Sequence, residues 1–266
     1  MTSASKRKKN AVKADMDSVS PSETAAQGKF STRLSFSYLA LLLLLYVTLP
    51  SFILAVFLIL RVGSPRLAYW ISMAILGGFI FHNRNKLSIG DYVVFFGVLI
   101  ACHLFAYFTF DMSADALAYH QPAIKRIANG FNPVYDGYMN LGRPPDEWSD
   151  QATYFPKTTW YFGAAVTAAL GDIQLGKVYN LLLILAAVFF VLGATKNAHV
   201  SMRTLWLMAC LNPIALTQIP YCLVDGALSS LTTIVLFYAY LFFNGKPISR
   251  SQHFFCVISL SMSRCL

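Results

Sequence analysis

The sequence predicts an all-α fold, a polytopic bundle of transmembrane helices. Apolar residues make up 56% of the 266 residues and charged residues only 12%, whereas soluble domains average about 45–50% and about 25%. The mean hydropathy is +0.54. Several apolar runs approach the roughly 20 residues that a helix needs to cross the hydrocarbon core of a bilayer.

About seven or eight apolar segments follow one another along the chain. They cover residues 36–60, 67–81, 92–110, 158–170, 178–195, 205–219, 227–243 and 254–260. The last of them starts a span that stops at Leu266 before completing a crossing. We therefore expect residues 36–266 to be a transmembrane domain that is truncated at its C-terminus, a fragment of a longer protein.

Residues 1–35 form a basic tail in front of the first apolar run. Its first 33 residues carry seven basic side chains against Asp15, Asp17 and Glu23, and they lack apolar periodicity. This composition predicts a disordered tail, and basic residues beside a membrane helix favour the cytoplasmic side. The net charge of +9 is thus interpreted as contact with the lipid bilayer, with no nucleic acid as partner.

The positive-inside rule orients the segments. With the N-terminus in the cytoplasm, the basic segment 82–86 lies inside and the acidic loop 111–156 lies at the outer face. The run 158–170 is short for a crossing. If it is re-entrant, Lys196 and Arg203 fall inside and Asp225 outside; a full crossing would invert these positions and violate the rule, so we favour re-entry.

The loop 111–156 opens with a predicted helix over residues 115–129 that ends at Gly130. Asp115 has two interpretations. It could be a general base at the membrane boundary, where partial burial brings a carboxyl pKa toward neutral pH. It could also cap the helix and complement its dipole, and the spacing alone favours the cap.

Three further side chains are candidates. Asp111 could be a second acid or could share a divalent cation, Mg²⁺ or Mn²⁺, with Asp115, although a solvated loop residue is the commoner case. His120 is interpreted as a packed histidine. Asp225, between two later apolar runs, could join the same site or could complement the dipole of the following helix.

Lys157 stands where the loop meets the next apolar run, in the sequence Tyr-Phe-Pro-Lys over residues 154–157. A lysine at that depth can bind a lipid phosphate. It can equally be an anchor whose ammonium reaches the interface beside aromatic rings. The chain has no P-loop, GxSxG, HExxH or CxxC pattern, so nucleotide hydrolysis, serine esterolysis and zinc proteolysis lack motif support.

Two stretches of the loop carry a resemblance: Asp-Ala-Leu-Ala-Tyr-His-Gln-Pro over 115–122 and Gly-Phe-Asn-Pro-Val-Tyr over 130–135. They resemble the first outer loop of the GT-C superfamily, integral-membrane glycosyltransferases that use polyprenyl-phosphate sugars, including protein O-mannosyltransferases and aminoarabinose transferases. The Tyr-Phe-Pro-Lys stretch and the later outer-face Asp225 are similar to that family as well. The resemblance covers roughly residues 92–243.

The resemblance implies a hexosyltransferase-type enzyme of a bacterial inner membrane or an ER-type membrane. Asp115 would be the catalytic base, with Asp111 as helper or metal ligand. Lys157 would hold the donor phosphate, and Asp225 would form a second acidic wall. The alternatives are a truncated, non-catalytic remnant of such an enzyme, and a transporter or flippase-like protein, which would require ionisable residues within the spans.

Overall fold

The computed structural model describes residues 34–136, 158–196, 198–246 and 248–263. Within these ranges the secondary structure is helical, without a β-strand, so the predicted all-α class is confirmed. Ten α-helices occur there: α1 (Phe36–Leu60), α2 (Pro65–His82), α3 (Ile89–Phe108), α4 (Gln121–Ala128), α5 (Thr158–Leu170), α6 (Tyr179–Ala194), α7 (Val200–Cys210), α8 (Pro213–Thr217), α9 (Asp225–Phe243) and α10 (Arg250–Ser263).

Four helical segments of the described chain are long and apolar enough to cross a membrane. They are α1, α3, α9 and the segment Ile173–Ala194, which joins a short 3₁₀ turn to α6. The chain is therefore a membrane protein by length and composition of its helices. The predicted seven or eight spans are not all present as long helices, because several apolar runs form shorter pieces.

The helix bundle has two ends, which are called the Ser35 end and the Asp111 end after one residue at each. At the first, the Ser35 end, the backbone N–H of Ser35 donates to Asp91 Oδ1 at 2.6 Å, and the Lys86 ammonium lies 5.9 Å from the centre of the Tyr38 ring. Helices α1, α2 and α3 run back and forth from there. The Asp111 end is where α3 stops and the loop at Asp111 begins.

Helix α5 starts and finishes at the Asp111 end. Near its start, Trp160 bonds His120; near its finish, the carbonyl of Ala168 accepts a 2.9 Å hydrogen bond from Arg66 Nε, at the beginning of α2. Its 13 residues extend about 20 Å as an α-helix. Both ends of α5 therefore lie at the Asp111 end of the bundle, and its re-entrant course in a membrane stays a prediction.

Helix α6 then leads the chain to the Ser35 end. A Cβ atom at Gly193 would lie only 2.5 Å from Ser37 Oγ, so the absence of a side chain at Gly193 allows α6 to meet the first turn of α1. Lys196 and Arg203 consequently lie at the Ser35 end, and the chain returns to the Asp111 end before Asp225.

The chain returns to the Asp111 end through two short helices, α7 and α8, whereas the sequence predicted one continuous apolar run over 205–219. Helix α7 ends at Cys210, and α8 begins three residues later with Pro213 in its first turn. Pro213 has no backbone N–H to continue α7. The side chain of Asn212 caps α8 instead, accepting from Ala215 N at 3.0 Å.

Charge is distributed unequally between the two ends of the described bundle. The Ser35 end has six basic residues and one acidic residue: Arg84, Lys86, Lys196, Arg203, Lys246, Arg250 and Asp91. The Asp111 end has five of each sign: Arg61, Arg66, Lys125, Arg126, Lys177, Asp111, Asp115, Asp136, Asp172 and Asp225.

Candidate functional site

The helix predicted over 115–129 is present at the Asp111 end. A π-helical turn, Ala116–His120, leads into α4, and Gly130 follows at φ +99°, a left-handed conformation that glycine adopts without a steric penalty. Asp115 makes no side-chain cap and has helical backbone angles. The capping interpretation of Asp115 was wrong, because Ser113 Oγ accepts from Ala116 N at 3.3 Å in that role.

Asp111 is a buried carboxylate with only 1% of its surface exposed. Its Oδ1 accepts hydrogen bonds from Ser113 N at 3.1 Å and from Ser113 Oγ at 2.7 Å. Its Oδ2 accepts from the backbone N–H of Cys222 at 2.6 Å. These donors offset the cost of removing the carboxylate from water, so a solvated loop position was the wrong expectation for Asp111.

Lys177 is a buried basic residue that the sequence interpretation missed. Its ammonium donates to Gln174 Oε1 at 2.9 Å and to the carbonyl of Thr109, and its side chain is fully enclosed. Gln174 Oε1 also accepts from the backbone N–H of Asp111 at 3.1 Å. Gln174 therefore connects the end of α3 to the start of the long apolar segment Ile173–Ala194. The sequence feature that could have identified Lys177 is a lysine at the start of an apolar run.

His120 is packed inside the site, as predicted. Trp160 Nε1 donates to His120 Nδ1 at 2.7 Å, and the imidazole is 4% exposed. Burial lowers its pKa from 6.5 to about 4, with the nearby Asp111 opposing that shift. Because Nδ1 accepts, the neutral ring carries its proton on Nε2.

Tyr119 brings the two remaining candidate carboxylates into one electrostatic environment. Its phenol is 7% exposed, and its pKa is raised first by burial and then by the charges of Asp115 and Asp225. Asp115 is half-buried, and Asp225 is exposed at the first position of α9. Two acids that are 110 residues apart in the sequence thus act on the same phenol.

The segment 218–224 positions Asp225 through bonds to the start of α6. Tyr179 OH donates to the Cys222 carbonyl at 2.6 Å. Asn180 Nδ2 lies within 3.1 Å of the carbonyls of Gln218, Tyr221 and Leu223. Together with the bond from Cys222 N to Asp111, these contacts hold the segment from both sides.

A divalent cation shared by Asp111 and Asp115 fits this geometry poorly. Both oxygens of Asp111 already accept hydrogen bonds, and in the described parts of the chain no three His, Cys, Asp or Glu residues gather to hold a metal ion. Mg²⁺ or Mn²⁺ dependence stays a prediction. Lys157, the predicted donor-phosphate ligand, lies outside the described residues.

The fold and the site define a class, an all-α membrane protein with a buried polar network around Asp111 at one end of its bundle. No family model, no curated protein and no solved structure matches the chain.

Proposed function

We propose that this protein is a membrane glycosyltransferase that moves a sugar from a polyprenyl-phosphate donor to an acceptor hydroxyl. The observation that carries the proposal is that Asp115 and Asp225, distant in the sequence, both lie at the Asp111 end and near enough to Tyr119 for their charges to raise the pKa of its phenol. A direct displacement at an anomeric carbon requires a base beside the acceptor, and a half-buried carboxylate at a membrane boundary is suited to that role.

Asp115 is the catalytic base in this proposal. It takes the proton of the acceptor hydroxyl while that oxygen forms a bond to the anomeric carbon, and the bond from that carbon to the lipid phosphate oxygen breaks with inversion. The side chain of Asp115 does not cap its helix, which leaves the carboxylate available for a substrate. Asp225 forms the second acidic wall, and Lys157 neutralises the departing phosphate.

Asp111 and Lys177 hold the segments around Asp115 and Asp225 in position. Both are buried and fully engaged by protein groups, so we assign them to positioning. Asp111 fixes the segment before Asp225 through Cys222 N and fixes the start of the helix of Asp115 through Ser113.

The charge asymmetry supports an orientation for this reaction. The Ser35 end, with six basic residues and one acidic residue among those described, faces the cytoplasm by the positive-inside rule. The Asp111 end then faces the periplasm or the ER lumen, and the reaction takes place there. The membrane is a bacterial inner membrane or an ER-type membrane.

Donor turnover tests the proposal. The full-length protein is supplied with polyprenyl-phosphate sugars and an acceptor mixture, with and without divalent cation and chelator. Asp115→Asn should reduce transfer at least 100-fold, the lower range for loss of a general base, and leave membrane insertion unchanged. Asp136→Asn, an exposed acid at the same end, is the matched control. Transfer by Asp115→Asn equal to that of the control would refute the assignment.

A further inference from the structure

A cavity lies at the Ser35 end of the bundle, the end opposite to Asp115 and Asp225. It measures about 490 Å³ and is formed where the first turn of α1 meets the end of α6. Lys196 and Arg203 contribute its basic side chains, and Ser35, Ser37 and Gly193 also line it. The cavity is therefore a concave site with two cations.

Arg203 is fixed in place with donor capacity to spare. Its Nη2 donates to the carbonyls of Thr195 and Lys196 at 2.9 and 3.0 Å, which occupies the acceptors at the end of α6. Its Nε is buried without a hydrogen-bond partner. A buried donor of a charged group without a partner costs free energy, so the guanidinium keeps unused hydrogen-bonding capacity in a residue that lines the cavity.

Further charges lie around the cavity. The N-terminus of α1 lines it and has no side-chain cap at Ser35, so the helix dipole adds positive potential. Asp91 is the nearby acid, and its oxygens accept from Ser35 N, Ser88 N and Ser88 Oγ. Its negative charge offsets part of the dipole's potential, so the preference for an anion rests on Arg203 and on Lys196, whose ammonium is exposed.

We propose that this cavity binds a phosphate group, supplied by the headgroup of an anionic phospholipid. Guanidinium and ammonium groups together are typical phosphate ligands. The cavity opens at the end of a membrane bundle, where the basic residues outnumber the acidic ones and where a lipid phosphate is at high local concentration. The site is distinct from that of the proposed transfer reaction and does not depend on it.

Thermal unfolding of the full chain in neutral detergent tests this site. We expect phosphatidylglycerol to raise the midpoint saturably and phosphatidylcholine to have a much smaller effect. Lys196→Gln should weaken the apparent affinity for phosphatidylglycerol about fivefold, the effect of about 1 kcal/mol per basic residue at a membrane surface. Lys246→Gln removes an exposed charge at the same end that does not line the cavity, and it should leave the affinity unchanged.

Two additional measurements distinguish a lipid phosphate from free phosphate and distinguish weaker binding from a folding defect. Inorganic phosphate at millimolar concentration, if it protects as well as the lipid and with the same dependence on Lys196, would overturn the lipid as the source. Arg203→Lys keeps both positive charges of the cavity but removes the guanidinium donors, so it should bind phosphatidylglycerol more weakly than the parent protein while unfolding cooperatively. Equal weakening by Lys196→Gln and Lys246→Gln, or no protection by either phosphate compound, would overturn the site itself.

Discussion

The backbone N–H of Cys222 donates a 2.6 Å hydrogen bond to Oδ2 of Asp111, across 111 positions of the sequence. This bond joins the loop that precedes Asp115 to the segment that precedes Asp225. The geometry of the two exposed or half-exposed acids therefore depends on a third acid that is itself buried.

Asp111→Asn should destabilise the protein, whereas Asp115→Asn should not. An amide nitrogen at either oxygen position of residue 111 would face an N–H or O–H donor, and a buried donor without a partner costs about 1–3 kcal/mol. The measurement is the thermal unfolding midpoint in detergent. Equal midpoints for the two variants would show that Asp111 does not hold the two segments together.

The pH dependence of stability should include a contribution from His120. Its pKa falls from 6.5 to about 4 on folding, so the unfolded chain binds the proton first as the pH drops. Stability is fully retained above pH 6.5 and is lost between pH 6.5 and about 4, by about 3 kcal/mol.

The matched variant for this prediction is His120→Asn, whose amide oxygen can accept the Trp160 bond without titrating. Unfolding midpoints at several pH values should converge for the two proteins as the pH falls. His82→Asn, an exposed histidine, should keep the parent profile. If the unfolding midpoint of His120→Asn depended on pH as that of the parent protein does, His120 would not be the source of this pH dependence.

Gly226→Ala should disturb the segment that positions Asp225. The added Cβ would lie 2.6 Å from Gln218 Cβ and 3.0 Å from Asn180 Oδ1, and such overpacking costs about 1–3 kcal/mol. We expect a lower unfolding midpoint and reduced transfer activity. Gly97→Ala, where nothing lies within 4 Å of the new atom, should be as stable as the parent or more so.

Labelling from the two sides of the membrane should separate the ends of the bundle. A cysteine replacing Lys246 should react with an impermeant reagent on the side of the basic tail, and one replacing Asp136 on the opposite side. The unsubstituted chain, whose described cysteines are buried, sets the background. Reaction of both positions from the same side would exclude the proposed orientation.

The sequence predicted the helical class and the helix that contains Asp115 because both depend on local patterns. Long apolar runs determine α1, α3, α6 and α9, and Gly130 ends the helix after Asp115 irrespective of the tertiary contacts. Asp115 as a cap was a local error, since the helix starts earlier, with Ser113 Oγ accepting from Ala116 N as its cap.

The buried polar network could not be read from the sequence, because its partners are distant along the chain. Asp111 meets Gln174 63 positions later and Cys222 111 positions later. Lys177 is enclosed only because the end of α3 and the 3₁₀ turn pack together. Such contacts follow from the order in which helices cross the bundle, and that order depends on whether the short run 158–170 crosses.

The short length of α5 has a consequence for what keeps it in place. Its 13 residues are fewer than the roughly 20 that a helix needs to span the hydrocarbon core of a bilayer, and Trp160, Phe162 and Val166 are enclosed by protein. The position of α5 therefore depends on its packing against α1 and α2, which precede it in the chain, and a change that separates those two helices should release α5 as well.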